Sequence, residues 1–337
     1  MDTNETNNFK YDYNADENRN KSSDNFASKF FKFHGEGKNL FILYLVNTFA
    51  TIFTLGLYYP WARASFLKFF YQETSFDGSR FTFLGTGREM FRGFLKALGL
   101  GIMVYGGIFF LNYLRFPLLS LIFIVIAGYL ILPAAIHGAL RYRLAKTTWR
   151  GIHFSYSGDL NELRSILLKN TILVFISFGF YLSWARVDVR KYIMSHTHLG
   201  NLTFGFDGEG DDLFFINLKG VLLSIVTLYI YIFWYLRNLF NFYVNNTYIV
   251  QDEKRSSRFV STLKIGSIVE LVLINFVIVI FTLGLGTPWA ICRTYTTIMQ
   301  NMELEGDIDF DIIKQKIDNF DDASGDDMVD ILDIGIV

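Results

Sequence analysis

Six stretches of this 337-residue chain run for about twenty residues with at most one charge each, near residues 39–58, 94–113, 117–136, 165–183, 214–233 and 267–286. A helix of about 20 residues at 1.5 Å per residue crosses a hydrocarbon core of about 30 Å. That match of length constrains the fold more than any other feature. It predicts an all-α polytopic membrane protein with about six apolar spans, joined by interfacial helices and short β elements. Composition agrees: 51% of residues are hydrophobic and 36 are Phe, a load that a soluble fold would leave in large exposed patches. The second and third stretches are separated only by Tyr113 to Phe116, which predicts a tight helical hairpin.

A fixed register links the stretches. Asn47, Asn170 and Asn275 each stand 14 residues before a tryptophan, at Trp61, Trp184 and Trp289, and Gly220 takes the Asn place before Trp234. Thirteen residues past the Trp come Thr74, Thr197, Thr247 and, in the last copy, Met302. Aromatic-x-aromatic-x-Gly occurs as FKFHG, FTFLG, FSYSG and FGFDG, with 50 residues from Phe31 to Phe81 and from Phe154 to Phe204. Three of these extend to G-x-G-x-x-[LM]-F. The frame predicts a half-buried strand, a Gly turn, an apolar span, a Gly/Pro break, a second helix and a closing strand.

Copies fall near 31–85, 154–208, 204–250 and 259–306, with the hairpin inserted near 91–140, so that 30–306 forms one repeated membrane domain. The 204–250 copy has Ile230 to Phe233 where Gly and Pro are expected and no strand after Thr247; the 259–306 copy lacks an opening strand. Residues 1–29 are polar and predicted to be a disordered tail. Residues 307–337 are acidic and predicted to be a solvated, partly helical tail.

Each tryptophan sits where a span ends. Trp61, Trp184, Trp234 and Trp289 are therefore predicted as interfacial anchors with their rings at headgroup depth. Arg63, Arg186, Arg237 and Arg293 follow two to four residues later and are predicted to reach lipid phosphates. Within the spans, Asn47, Asn170 and Asn275 have two readings: hydrogen-bonded glue between helices, or a polar ring around a path. Lys219 and Glu270 are the other span sites, and a pair between them is open.

The segments FKFHGEGKNLF, TLGLYYPWAR, TSFDG (74–78), FTFLGTG and TTWRGIHFSYSG recur in order over nearly the whole of 30–306. In this combination the chain resembles the YjgN-like family, bacterial inner-membrane proteins with a domain of unknown function. The resemblance implies a polytopic membrane protein; it implies no activity and no catalytic residues.

Two topologies remain. In one, all six spans cross, which their length favours. In the other, the four repeat segments are re-entrant and only the hairpin crosses, which puts every cation-rich loop on one face; the loop at 113–116 holds Arg115 alone. Both place the two termini on one side, most simply the cytoplasm. No signal peptide opens the sequence, so the first span is expected to direct insertion.

Chemistry is sparse. Cys292 is the only cysteine, and His196 and His198 share a strand face without carboxylate or Cys support, so no metal site and no cofactor are expected. No G-x-S-x-G, H-E-x-x-H or P-loop pattern occurs, and an enzyme is not expected. Net charge is −1 with no basic block, so nucleic acid is not an expected partner. The expected partner is the lipid bilayer of the inner membrane; no protein partner is read from the sequence. The expected function is a multi-pass module offering a transport or small-molecule binding cavity between repeats. The alternative is a structural or lipid-binding envelope protein.

Overall fold

The computed structural model describes residues 29–251 and 254–306, with Ile308 and Ile313. The tails predicted at 1–29 and 307–337 fall outside these residues, apart from Lys29, Ile308 and Ile313.

Among the described residues one arrangement occurs five times: strand, helix, sharp break, helix, strand. The first unit is β1 (Lys29–Phe33), α1 (Gly37–Phe53), α2 (Tyr59–Glu73) and β2 (Thr74–Phe76). The second is β3 (Ser79–Phe83), α3 (Gly87–Tyr113), α4 (Pro117–Ala145) and β4 (Thr147–Trp149). The third is β5 (Ile152–Tyr156), α5 (Leu160–Ile176), α6 (Leu182–Ser195) and β6 (Thr197–Leu199). The fourth is β7 (Leu202–Phe206), α7 (Gly210–Val226), α8 (Ile232–Asn245) and β8 (Thr247–Gln251). The fifth is β9 (Lys254–Ser261), α9 (Ile265–Phe281), α10 (Thr287–Gln300) and β10 (Met302–Gly306).

The ten strands close into an antiparallel barrel in chain order, with β10 paired to β1. Its interior is apolar and filled. One inward layer pairs an odd strand's residue with an even strand's in each unit: Phe31 with Phe76, Phe81 with Trp149, Phe154 with Leu199, Phe204 with Ile249, and Phe259 with Leu304. The first aromatic of each aromatic-x-aromatic-x-Gly run supplies four of these. The second aromatic folds over its own Gly, as Phe33 does on Gly35, Phe83 on Gly85, Tyr156 on Gly158 and Phe206 on Gly208, leaving no room for a Cβ. Ile308 and Ile313 are buried in the same core, and Lys29 Nζ donates to the Ile308 carbonyl at 3.1 Å. Of the predicted acidic tail, the described Ile308 and Ile313 thus belong to the barrel core.

Odd strands lead into helices and even strands lead out of them. All five helical hairpins therefore rise from one end of the barrel. The other end carries tight turns, with left-handed Asp77–Gly78 and Arg150–Gly151 pairs that match hairpin twist.

Two expectations are overturned. The protein is not all-α, because a closed ten-stranded barrel organises it. It does not present six spans: among the described residues only α3 and α4 are long and apolar enough to cross a membrane. The remaining apolar stretches are 17-residue helices that double back after a break, so each hairpin begins and ends at the barrel. The hairpin taken as an insert is a unit like the rest. Ala97 and Ala135 occupy the places of Asn47 and Ala62, but 38 residues separate them instead of 15. Each arm of that hairpin is longer by about a dozen residues, or about 17 Å. The strands missed in the fourth and fifth units are β8 and β9.

Candidate functional site

The breaks come first, because they decide what the hairpins can enter. After α1 the chain reads Thr54-Leu-Gly-Leu-Tyr58. Leu55 and Gly56 take positive φ of 50° and 90°, and the same pair of left-handed residues recurs at Phe178–Gly179, Leu228–Tyr229 and Leu283–Gly284. Each break opens with Thr or Ser, whose hydroxyl accepts the N–H four residues on: Tyr58 to Thr54, Tyr181 to Ser177, Tyr231 to Thr227 and Gly286 to Thr282. From Thr54 to Trp61 every backbone N–H has an internal acceptor, and Pro60 has none to satisfy. The side chains here are apolar and almost fully exposed: Leu55 93%, Phe178 95%, Leu228 85% and Leu283 93%. A turn with no open donors and a bare apolar surface suits hydrocarbon and is costly in water.

Depth follows from helix rise. Exposed large apolar residues on the first arm run from Ile42 to Leu55 in the first unit and from Leu95 to Leu114 in the second. At 1.5 Å per residue these bands measure about 20 Å and about 30 Å. The second equals a hydrocarbon core; the first is about two thirds of one.

The helices form two layers. α1 packs between α2 and α10, α3 between α2 and α4, α5 between α4 and α6, and α7 between α6 and α8. α9 lies against α8 and α10. Odd helices therefore occupy an outer ring, each in a groove between two even helices, and the even helices form an inner ring of five.

The tryptophans hold the rings together. Trp61 lies on Gly87, Trp184 on Gly210 and Trp289 on Gly37, where any Cβ would strike the indole. The final Phe of each G-x-G-x-x-[LM]-F run completes the contact, with ring centroids 4.9 Å apart for Trp61–Phe91 and Trp184–Phe214 and 5.3 Å for Trp289–Phe41. Trp184 Nε1 also donates to Asp211 at 3.0 Å. These three anchors thus grip the next unit's outer helix; they are not rings turned wholly to lipid. Trp234 is exposed and stacks on Tyr231. Where the second unit has Ala134 in the Trp place, the third opens its helix with Leu160 in the Gly place.

The asparagines lie inside single hairpins. Asn47 and Asn170 are each 3% exposed. Asn275 bridges α9 to α10, its Nδ2 donating to the Ala290 carbonyl at 3.2 Å and to Thr294 Oγ1 at 3.0 Å. In the fourth unit the small and large partners are exchanged: Gly220 stands in the Asn place and Tyr235, in the place of Ala62, Ala185 and Ala290, covers it. Tyr235 donates to Asn217 Oδ1, and Asn217 Nδ2 donates to Ser183 Oγ, both at 2.9 Å. Glu270 pairs with Arg293 at 3.3 Å rather than with Lys219. Lys219 is exposed on α7.

The face of each even helix left over points to the barrel axis. With the Trp place at 0°, the next residue lies at about 100°, and both pack on outer helices; the places two, six and nine residues on lie near 200°, 240° and 180°. Arg63 and Arg186 hold the first of these places, Arg190 and Tyr295 the second, Arg143 and Tyr243 the third. Contacts agree with this geometry. Tyr295 of α10 stacks on Phe70 of α2 at 4.5 Å. The Arg190 guanidinium lies 4.8 Å from the Tyr243 ring and 5.1 Å from that of Phe206. Most of these side chains are partly exposed. Arg237 lies beside this face and donates from Nε to the Leu263 carbonyl at 3.0 Å. A depression of about 680 Å³ lies between α5, α6 and strands β7 and β8, lined by Glu162, Lys169, Asp188, Lys191 and His196 among others.

Among the described residues no group of three or more His, Cys, Asp or Glu could hold a metal. His198 is held instead by the hydroxyls of Ser157 and Thr203, at 2.8 and 2.9 Å.

The sequence profile of the bacterial proteins of unknown function DUF898 matches residues 28–207 and 235–331. The chain belongs to the DUF898 family. The unmatched stretch, 208–234, is the arm and break of the fourth unit, where Gly220 and Tyr229 depart from the other copies. Relatives named inner membrane protein YjgN are similar to this DUF898 chain. That of Escherichia coli O157:H7 is 29% identical over 149 residues, 44% of this chain and 36% of the relative. The Escherichia coli K12 protein is 28% identical over the same extent. That of Salmonella typhimurium is 23% identical over 176 residues, 50% of this chain and 42% of the relative. The chain thus matches about two fifths of the length of these curated relatives. No solved structure matches it.

Proposed function

We propose that this DUF898 protein is an inner-membrane protein that inserts a crown of five hairpins from the cytoplasmic face, and that the crown binds a small molecule without turning it over. The observation that carries the reading is the set of apolar breaks, closed to hydrogen bonding and fully exposed, at the far end of every short hairpin. The α3–α4 hairpin has the length to cross; the four shorter ones reach about two thirds of the way and return. Lys and Arg crowd the barrel side, while Arg115 alone marks the tips, which supports a cytoplasmic barrel. The names of the YjgN relatives agree with an inner-membrane location. The filled barrel favours binding over passage, since no open path leads through Phe31, Phe81, Trp149 and Phe154.

Single cysteines test the arrangement on a Cys292→Ala background. A membrane-impermeant maleimide should label Gly151→Cys from the cytoplasmic side and Arg115→Cys from the other. Leu55→Cys and Leu283→Cys should stay unlabelled from both sides until detergent is added. Labelling of either break from outside would sink the re-entrant reading.

A further inference from the structure

We propose that the depression between α5, α6, β7 and β8 holds a phosphate ester bearing a primary ammonium, the group shared by phosphoethanolamine and the headgroup of an aminophospholipid. This rests on the reading of the crown as a membrane-inserted binder, and adds the place and the chemical class of its ligand.

The depression, of about 680 Å³, is of the size of a small-molecule site, and both signs of charge line it. Glu162 and Lys169 stand two turns apart on one face of α5; Asp188 and Lys191 stand one turn apart on α6. Lys169 Nζ lies 3.8 Å from Asp188 Oδ2, too far for a hydrogen bond. Among the described residues Lys191 and Glu162 have no ion-pair partner. Asn201, in the turn from β6 to β7, lines the same space, and its Oδ1 is buried with no hydrogen bond. A buried acceptor in that state is unfavourable until something donates to it. His196 Nδ1 donates to the Tyr192 carbonyl at 2.8 Å, so in the neutral ring Nε2 is a second acceptor. Tyr248 folds over Gly205, where any Cβ would strike its ring; Lys32, Thr82 and Ser155 hold that place in the first three units. The ring lines the depression and adds a π face that favours a cation.

A simple anion would meet two lysines here but also two carboxylates, and a simple cation the reverse. A ligand carrying both charges satisfies both sets. Phosphate oxygens accept from Lys169 and Lys191, and a primary ammonium donates to Asp188, Glu162 and Asn201 Oδ1. A choline headgroup has the same charges but no N–H donor, and a glycerol headgroup has no cation. The position favours a lipid source. On α5 the exposed apolar residues Leu168, Ile172, Phe175 and Ile176 begin beside Lys169 and run to the break. The depression therefore lies where the apolar band starts, which in an inserted crown is headgroup depth. The acyl chains of a lipid seated there would follow this stripe.

The test uses the full chain in nanodiscs of phosphatidylcholine with equal minor fractions of phosphatidylethanolamine and phosphatidylglycerol. Retained lipid is read by native mass spectrometry, and binding of phosphoethanolamine by calorimetry in detergent. Wild type should retain phosphatidylethanolamine over the other two by about fivefold or more, which assigns a lipid source, or bind phosphoethanolamine without that preference, which assigns a soluble one. Glu162→Gln should erase the preference for phosphatidylethanolamine over phosphatidylglycerol, and Lys191→Gln should lower retention of both. Both side chains are exposed, so neither change should move the melting temperature. Lys219→Gln, on α7 outside the depression, should behave as wild type. Wild type with neither lipid preference nor phosphoethanolamine binding overturns the proposal. So does a preference or binding that survives Glu162→Gln/Lys191→Gln, or one that falls equally with Lys219→Gln. Labelling of Leu55→Cys and Leu283→Cys keeps the two readings apart. Shielded breaks without ligand selectivity leave the inserted crown and remove its occupant, whereas breaks labelled from outside remove the insertion whatever the ligand result.

Discussion

Trp61, two residues into α2, lies flat on Gly87, the first residue of α3, so that the hydrogen of that glycine occupies the only space the indole leaves. The same pairing joins Trp184 to Gly210 and Trp289 to Gly37. It explains why one Trp signal recurs along the chain: in three of the five units the indole grips the next unit's outer helix.

Gly87→Val should therefore act like loss of the indole. It should destabilise the protein by about 3–5 kcal/mol, the range seen when a large buried aromatic is truncated. Trp61→Ala should do the same. Ala134 of the second unit and Leu160 of the third already hold these two places. Gly87→Leu combined with Trp61→Ala should thus lose less than the sum of the two single changes. Thermal melts of the four proteins in detergent measure the coupling, and strict additivity would break the clamp.

The repeat was legible because its parts are local and chemically distinctive: a Trp, an Asn 14 residues before it, a Gly turn. The barrel was not. β2, β4 and β6 are three residues long, too short for alternation to declare itself, and they close only through partners far along the chain. Six crossings follow from the sequence only if about twenty apolar residues form one helix, but at Thr54 to Leu57 two left-handed residues turn the chain back. Arg63 and Arg186 stand two residues after a Trp in the sequence, but only the two-layer packing of helices separates an axial arginine from one facing lipid.

The break also predicts a gain in stability. Tyr229 takes φ 67° where the other units have Gly56, Gly179 and Gly284. A side chain in the left-handed region costs about 1–2 kcal/mol, offset in part by the greater freedom of Gly in the unfolded chain. Tyr229→Gly should raise the melting temperature, by up to about 1 kcal/mol of stability. Gly179→Tyr should lower it. A fall on Tyr229→Gly would mean that the tyrosine ring, not the backbone, secures this tip.

Asn275 and Asn170 hold the same place with different partners. The Asn275 amide makes two hydrogen bonds across its hairpin, whereas neither amide atom of Asn170 has a partner among the described residues. Asn275→Leu should cost about 1–3 kcal/mol, because Thr294 and the Ala290 carbonyl lose a donor in a buried setting. Asn170→Leu should be near neutral or stabilising by the same reasoning. Melts of the two variants in one detergent decide it, and an equal loss would show that Asn170 serves an unseen polar partner such as an ordered water.

Length is the last feature that can be altered cleanly. Met103 and Leu132 correspond to Phe53 and Tyr59, so residues 104–131 occupy the place of the five-residue break Thr54–Tyr58. Replacing 104–131 by that break should give five equal hairpins. The clamp of Trp61 on Gly87, the packing of α3 between α2 and α4 and the barrel all lie below the removed part, so the melting temperature should shift by only a few degrees. The apolar band would shrink from about 30 Å to about 20 Å, short of a bilayer core. A cysteine at the new tip should then resist maleimide from both sides, unlike Arg115→Cys in the parent. If the shortened protein still exposes its tip on the far side, the arms sit deeper than helix length allows and the assignment of one crossing hairpin among four returning ones fails.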